Sequence, residues 1–377
     1  MNNKKNNNIL FRVFSVLRGP CFFVFFVVLL FVGCTKSPTN SDNTNQVTVN
    51  IAITQNTTWQ TGTDYIIEGL VTVQQGVSLT ITGNVTILFK ADGEGEKGKL
   101  RINGTLQAKG TDSTSAVLFK PYDATVSGGA WGIELDQSEG CGIFEFCRFE
   151  GLTYGVNAFE ASVQVNECIF FECINGVSVT KCDSALIQGS EFLDNEYGIK
   201  TNLAPVGEDS VRVIGNVFSG AKEVGVEVGN FSKGLIKGNF FKNNFIGVEL
   251  FSGSSFSIIF NLFKYNKTCI NVTSGVKGKI IKNNFNNSGE FIFLNRYAQV
   301  KINFNNFFEV ESYKIRLGHR SPNVNAIENW WNNIKKEVIH TFIFDNNDEG
   351  APIDCGIVFF EPFANTEIEW FCQSKKE

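Results

Sequence analysis

Lys200, Glu227 and Glu249 are the residues of this 377-residue chain whose types and spacing come nearest to a reactive constellation. If each span of about 22 residues is one turn of a stacked structure, the two carboxylates lie one rung apart, roughly 5 Å between backbones. A carboxyl separation of about 5 Å is what a retaining glycosidase uses for its nucleophile and its general acid. The competing reading is that a solvated strand face carries Lys and Glu because it is wet, with Lys200 offsetting Glu227. Both readings stay open at this level.

Metal chemistry has less to work with. The chain holds two histidines, His319 and His340, and no C-x-x-C pair, so a zinc site is not expected. Two acidic loops, residues 92–96 (DGEGE) and 345–349 (DNNDE), carry oxygen donors of the kind Ca²⁺ takes, but neither has the full spacing of a calcium loop. Ca²⁺ is the only cofactor the residues leave room for. Among ten cysteines, Cys21 and Cys34 lie at the N-terminal end, and the remaining eight are an even count that invites disulfides in an exported chain. Cys355 with Cys372, both in the C-terminal segment, is the favoured pair.

The elements that would position Lys200, Glu227 and Glu249 come from an internal repeat. Phe149, Phe170, Phe192, Phe218, Phe241, Phe263, Phe285, Phe307 and Trp331 recur at intervals of 21 to 26 residues, most often 22. Two residues before each stands a small polar or thiol side chain: Cys147, Cys168, Ser190, Asn216, Asn239, Asn261, Asn283, Asn305 and Asn329. Five before each aromatic is an apolar residue such as Val165, Ile236 or Ile302, and glycines at 155, 176, 198, 225 and 247 each precede a stretch of alternating character. One such unit cannot bury its own apolar face, so successive units must stack as coils with parallel strands. Identical positions then form columns: Phe fills the interior, and Asn bonds along the stack. The expected fold is an all-β solenoid of coils of about 22 residues with a C-terminal cap.

With its aromatic column and asparagine ladder, the chain resembles the right-handed parallel β-helix proteins of the pectate-lyase type over residues 47–363. Residues 100–119 followed by Trp131-Gly132-Ile133 are similar to the opening coils of secreted bacterial β-helix proteins, and Asn329-Trp330-Trp331-Asn332 to their closing motif, with Asn332 in place of Gly. The resemblance implies the right-handed winding, and polysaccharide lyases on this fold use basic residues and calcium-binding carboxylates on the face where Lys200, Glu227 and Glu249 are expected. Gly318-His319-Arg320 is similar to the Gly-His-Gly of polygalacturonases, yet the paired aspartates and Arg-x-Lys of those enzymes have no counterpart, and the epimerase Asp-Pro-His is absent. A role like that of β-helix proteins in copper-enzyme maturation is disfavoured by one Met and two His.

Residues 1–33 read as a signal segment, with Lys4, Lys5, Arg12 and Arg18 ahead of the apolar run 21–32 (CFFVFFVVLLFV). Phe31-Val32-Gly33-Cys34 resembles a bacterial lipobox, which implies lipidation of Cys34, residues 34–46 as a polar tether, and, with Thr35 where Asp would retain it, an outer-membrane or cell-surface address. Residues 47–143 read as irregular early coils, 144–333 as regular repeats, and 334–377 as the cap. Four of the 33 basic residues leave with the signal, so 29 remain against 38 acidic ones, net −9. Nucleic acid is therefore not an expected partner. The chain reads as a monomer that meets the membrane through its lipid only. Two functions remain open: a non-catalytic envelope protein binding a glycan or a protein along its faces, or a lyase or glycosidase acting on an acidic polysaccharide. The 26-residue step from Phe192 to Phe218 marks residues 202–210 as an insertion expected to rim any ligand groove.

Overall fold

The computed structural model describes residues 45–123, 128–136, 140–204, 210–333 and 335–369. The signal segment, Cys34 and nearly all of the tether lie outside the described residues, as do 205–209 of the insertion and Cys372, the favoured partner of Cys355.

Each coil contributes three short strands separated by three turns. The same strand of every coil joins the same sheet, and the described residues form a right-handed parallel β-helix of about twelve turns. Sheet I has twelve strands from Asn45–Val49 to Asn306–Phe307, and sheet II has twelve from Leu70–Val73 to Ile343–Phe344. Sheet III has eleven, from Thr57–Trp59 to Gln299–Asn303. Parallel pairing needs a long crossover between partners, and here the remainder of each coil supplies it.

The core is built from columns. On sheet I the rings from Phe119 to Phe285 lie in one pile, with neighbouring centroids 4.6 to 5.0 Å apart and planes within 12°. Phe119 extends this pile one coil earlier than the sequence repeat, and the register continues back through Ile87 to Tyr65. Facing it are Val177, Ile199, Val226 and Val248 of sheet II and Val165, Ile187, Val213 and Ile236 of sheet III, all fully buried. Gly176 and Gly198 sit beneath this pile: a Cβ there would meet the Phe192 and Phe218 rings at 2.8 and 2.9 Å. Their role is close approach inside a strand, where the sequence placed them only ahead of one.

The ladder occupies the turn from sheet III to sheet I. Asn239 Nδ2 and backbone N–H both donate to Asn261 Oδ1 at 2.9 Å, and Asn261 repeats this to Asn283 and Asn283 to Asn305. The column ends at Asn329, which accepts both donors of Asn305. Cys147 and Cys168 take the same position with thiols directed to backbone carbonyls, the latter at 3.2 Å from Asn166 O. Such groups are buried, and each backbone amide that a turn would orphan finds an acceptor.

A second ladder, not anticipated from the sequence, runs on the other side of the Phe pile, three residues after each ring. Asn244 Nδ2 donates to Asn266 Oδ1 at 2.9 Å, Asn266 N–H donates to Ser288 Oγ at 3.1 Å, and Cys173 N–H donates to Asn195 Oδ1 at 2.8 Å. At the C-terminal end, a helix over Lys336–His340 and the pair Val324–Asn325 with Val358–Phe359 follow the last coils. Lys314 is buried there, 2% exposed, its Nζ donating to the carbonyls of Phe307, at 3.2 Å, and Trp331.

Candidate functional site

The outward face of sheet II holds the residues singled out for chemistry. Alternation along each strand turns every second side chain to solvent, and the parallel register lines those positions up. One column runs Arg101, Glu134, Asn157, Ser178, Lys200, Glu227, Glu249, Asn271, Phe293 and Arg316. Lys200, Glu227 and Glu249 are thus consecutive rungs.

Their electrostatics follow from this stacking. Lys200 Nζ lies 3.4 Å from Glu227 Oε2, with side chains 33% and 18% exposed, and 3.7 Å from the centroid of the Tyr197 ring. Glu249 Oε1 accepts from Asn271 Nδ2 at 2.7 Å. Burial pushes the Glu249 carboxyl above the usual carboxylate range, and the negative charges of Glu227 and Glu223 add to this against the Asn271 bond and Lys200. Burial and the same glutamates raise the Tyr197 phenol. One carboxylate is thus paired with a cation and the next is partly desolvated.

A shallow groove of about 390 Å³ lies beside the column, lined by Ser178, Thr180, Lys200, Asn202, Glu227 and Phe251, among others. Lys200 and Glu227 face this groove; Glu249, one rung on, does not line it. Asn202 at its rim begins the insertion, whose base is closed by Ser210 Oγ donating to the Ala204 and Lys233 carbonyls. Tyr197, whose ring lies under Lys200, and Asn271, which donates to Glu249, were not marked by the sequence as partners of the column, because the residues at their positions vary from coil to coil: Asn175, Val224 and Ile246 for the first, Ser178, Lys200 and Phe293 for the second.

The remaining candidates are dispersed. His319 and Arg320 both lie against Asp354, at 3.2 and 3.6 Å, on an exposed turn, and His340 packs edge-on to Phe360. Asp92 Oδ1 accepts from the Glu94 and Glu96 N–H groups of its own loop, and Asp345 accepts from the N–H groups of Asn347 in its loop and of Val358 in the strand Val358–Phe359, so both leading carboxylates are turned onto backbone. Burial raises the Cys173 and Cys269 thiols to about 12, which makes them poor metal ligands. Among the described residues no group of three or more His, Cys, Asp or Glu could hold a metal ion.

No curated protein and no solved structure matches this chain. The family described as a right handed beta helix region matches residues 203–348, in keeping with the coils described above. A second family match covers residues 77–275, more than half of the chain. On that match the chain belongs to the family described as periplasmic copper-binding protein (NosD).

Proposed function

We propose that this chain is a non-catalytic β-helix protein of the cell envelope, held by a lipid on Cys34, which binds a glycan or a protein partner along its solenoid faces. The observation that carries this reading is that the candidate base and acids of the sheet II column are already partnered within the fold. Lys200 is tied to Glu227 and Tyr197, and Glu249 to Asn271. A bound polymer would find a flat, hydrogen-bonding surface beside a shallow groove. The periplasmic address in the family description fits the exported character read from the N-terminal segment.

Copper is part of that family description, but the donors of this chain do not fit it. Its one methionine is Met1, His319 lies against Asp354 and His340 against Phe360, and although Cys147 and Cys168 stack on one another, no third His, Cys, Asp or Glu among the described residues joins them as a metal-holding group. A copper site of the usual kind draws imidazole, thiolate or thioether to one point. We therefore assign copper no part in the function.

A second reading, a carbohydrate-active enzyme, draws on one observation. Glu249 has a raised carboxyl beside a Glu227 paired with Lys200, and such splitting of two acids is what assigns proton donor and nucleophile in glycosidases. Screening the mature protein on a glycan array and a panel of envelope proteins, with reducing-end release followed in parallel, tests both. The proposal expects retention of a ligand without release; release abolished in Glu249→Gln would establish the enzyme instead.

A further inference from the structure

The outward face of sheet III separates charge in a way the net charge of the chain conceals. Its strands Val211–Ile214, Lys233–Lys237, Ser255–Ile259, Lys277–Ile281 and Gln299–Asn303 carry Arg212, Lys233, Lys237, Lys277, Lys279 and Lys301 and no acidic residue. The five lysines are exposed. None of the six makes an ion pair with any described residue.

Register makes this arrangement costly for the folded chain alone. Lys279 and Lys301 are direct partners on neighbouring strands, and Lys277 sits on the same rung as Lys279. Like charges directly opposite one another destabilise a sheet. At three such positions elsewhere in the solenoid opposite charges pair, Glu68 with Lys90, Arg101 with Glu134 and Lys109 with Glu145, while the like pair Glu227 and Glu249 on sheet II has Lys200 beside Glu227 and Asn271 bonded to Glu249. Sheet I has one comparable lysine pair, Lys242 and Lys264, and there Lys264 lies over the Tyr265 ring.

The face is also shaped. A depression of about 420 Å³ crosses it, with Ser255 and Ser257 between the lysines at 233, 279 and 301. Small side chains on one rung between longer ones on its neighbours leave a trough. At its edge, in the turn leading to sheet I, Phe260 and Phe304 are each 39% exposed and hold φ of 58° and 57°. Glycine holds the equivalent place at 189, 215 and 238, also with positive φ. A bulky residue is uncommon in that region of backbone space. Lys237 and Lys282 lean over the Phe260 ring, at 5.9 and 5.5 Å from its centroid.

We propose that this face is a docking surface for a linear glycan bearing carboxylates, an identification that rests on the glycan-binding reading given above. Lysines act as separated point charges, which suits carboxylates spaced along a chain, whereas the forked guanidinium is the usual choice for phosphate. Ser255, Ser257 and Gln299 lie among them and supply neutral donors and acceptors for hydroxyl groups. Phe260 and Phe304 offer apolar ring faces against which sugar rings can lie. A concave trough receives a chain, whereas a bilayer surface is met by a protruding amphipathic element.

The test uses the mature chain with polygalacturonate, dextran, a single-stranded oligonucleotide and vesicles of anionic phospholipid, each at low and high salt. Polygalacturonate should be retained at low salt and released as salt rises, because counterions screen the contacts. Lys279→Gln with Lys301→Gln should weaken it at least tenfold while melting no lower than the parent, and Lys242→Gln with Lys264→Gln should leave it unchanged. Equal retention of polygalacturonate and dextran, equal weakening by the two double variants, no weakening by the first, or tighter binding of oligonucleotide or vesicles would overturn the assignment. Retention of dextran by every variant would refute this surface and leave the broader glycan-binding reading standing.

Discussion

Asn239 and Asn244 stand on either side of Phe241 in the same coil, and each donates from its Nδ2 to the asparagine 22 residues on, both at 2.9 Å. The ring is thus held between two hydrogen-bonded columns, and both asparagines are 2% exposed. Replacing either leaves buried neighbours without partners, an effect of about 1–3 kcal/mol, whereas Phe241→Ala opens a cavity worth about 3–5 kcal/mol. Urea midpoints should therefore fall for Asn244→Ala as much as for Asn239→Ala, and further for Phe241→Ala. A neutral Asn244→Ala would show that the second column is ornamental to stability.

Glu249 gives a pH signature. Its folded-state carboxyl is raised above the usual 4.5 by burial first and by Glu227 and Glu223 next. A raised acid contributes favourably below its unfolded value, and that contribution is lost as pH rises through the folded value, so at neutral pH the ionised group is a liability. Glu249→Gln keeps an acceptor for Asn271 and should raise the melting temperature at pH 7. The gain over the parent should shrink as the pH falls through the raised folded value toward 4.5 and level off below it. A gain that is the same at pH 4 and pH 7 would remove the electrostatic explanation.

Lys314 gives the opposite window. Burial lowers its ammonium from 10.5 to about 8, with Glu309 opposing. Below pH 8 both folded and unfolded chains hold the proton and the folded state bears the burial penalty; between 8 and 10.5 the unfolded chain binds more protons, so stability rises with pH. The full span corresponds to about 3 kcal/mol at most. Comparing parent and Lys314→Met by urea unfolding from pH 7.5 to 10.5, the parent should gain relative to the variant. Parallel curves would place the titration elsewhere.

The lipid anchor is tested by fractionation. Cys34→Ala should move the protein from the membrane fraction to the soluble one or leave its signal segment uncleaved, and the parent should lose mass on lipase treatment. An unmodified parent that pellets with membranes as the variant does would refute the anchor.

Much of the fold was legible because the repeat writes the same residue type into the same place. Phe at one position and Asn two before it survive from coil to coil, so columns at 241 and 239 could be read from their spacing, and the register placed Lys200, Glu227 and Glu249 on consecutive rungs. The second ladder was hidden because its position reads Leu152, Cys173, Asn195, Ala221, Asn244, Asn266 and Ser288, a mixture that only three-dimensional register makes coherent. The cationic face was hidden for a different reason. Net charge sums over the chain, whereas Lys279 and Lys301 meet only through the pairing of strands one coil apart, 22 residues on in sequence. Lys314 carried no mark of burial, since its neighbours in sequence, Tyr313 and Ile315, belong equally to an exposed strand.

The account turns on binding without turnover, and the most direct measurement is the length of a glycan before and after it is held. Each array glycan that the mature protein retains should be incubated with it in excess, eluted at high salt, and sized by chromatography alongside its reducing-end count. The account predicts recovered chains of unchanged length and no new ends, from the parent and from Glu249→Gln alike. Shortened chains from the parent and intact ones from Glu249→Gln would contradict it.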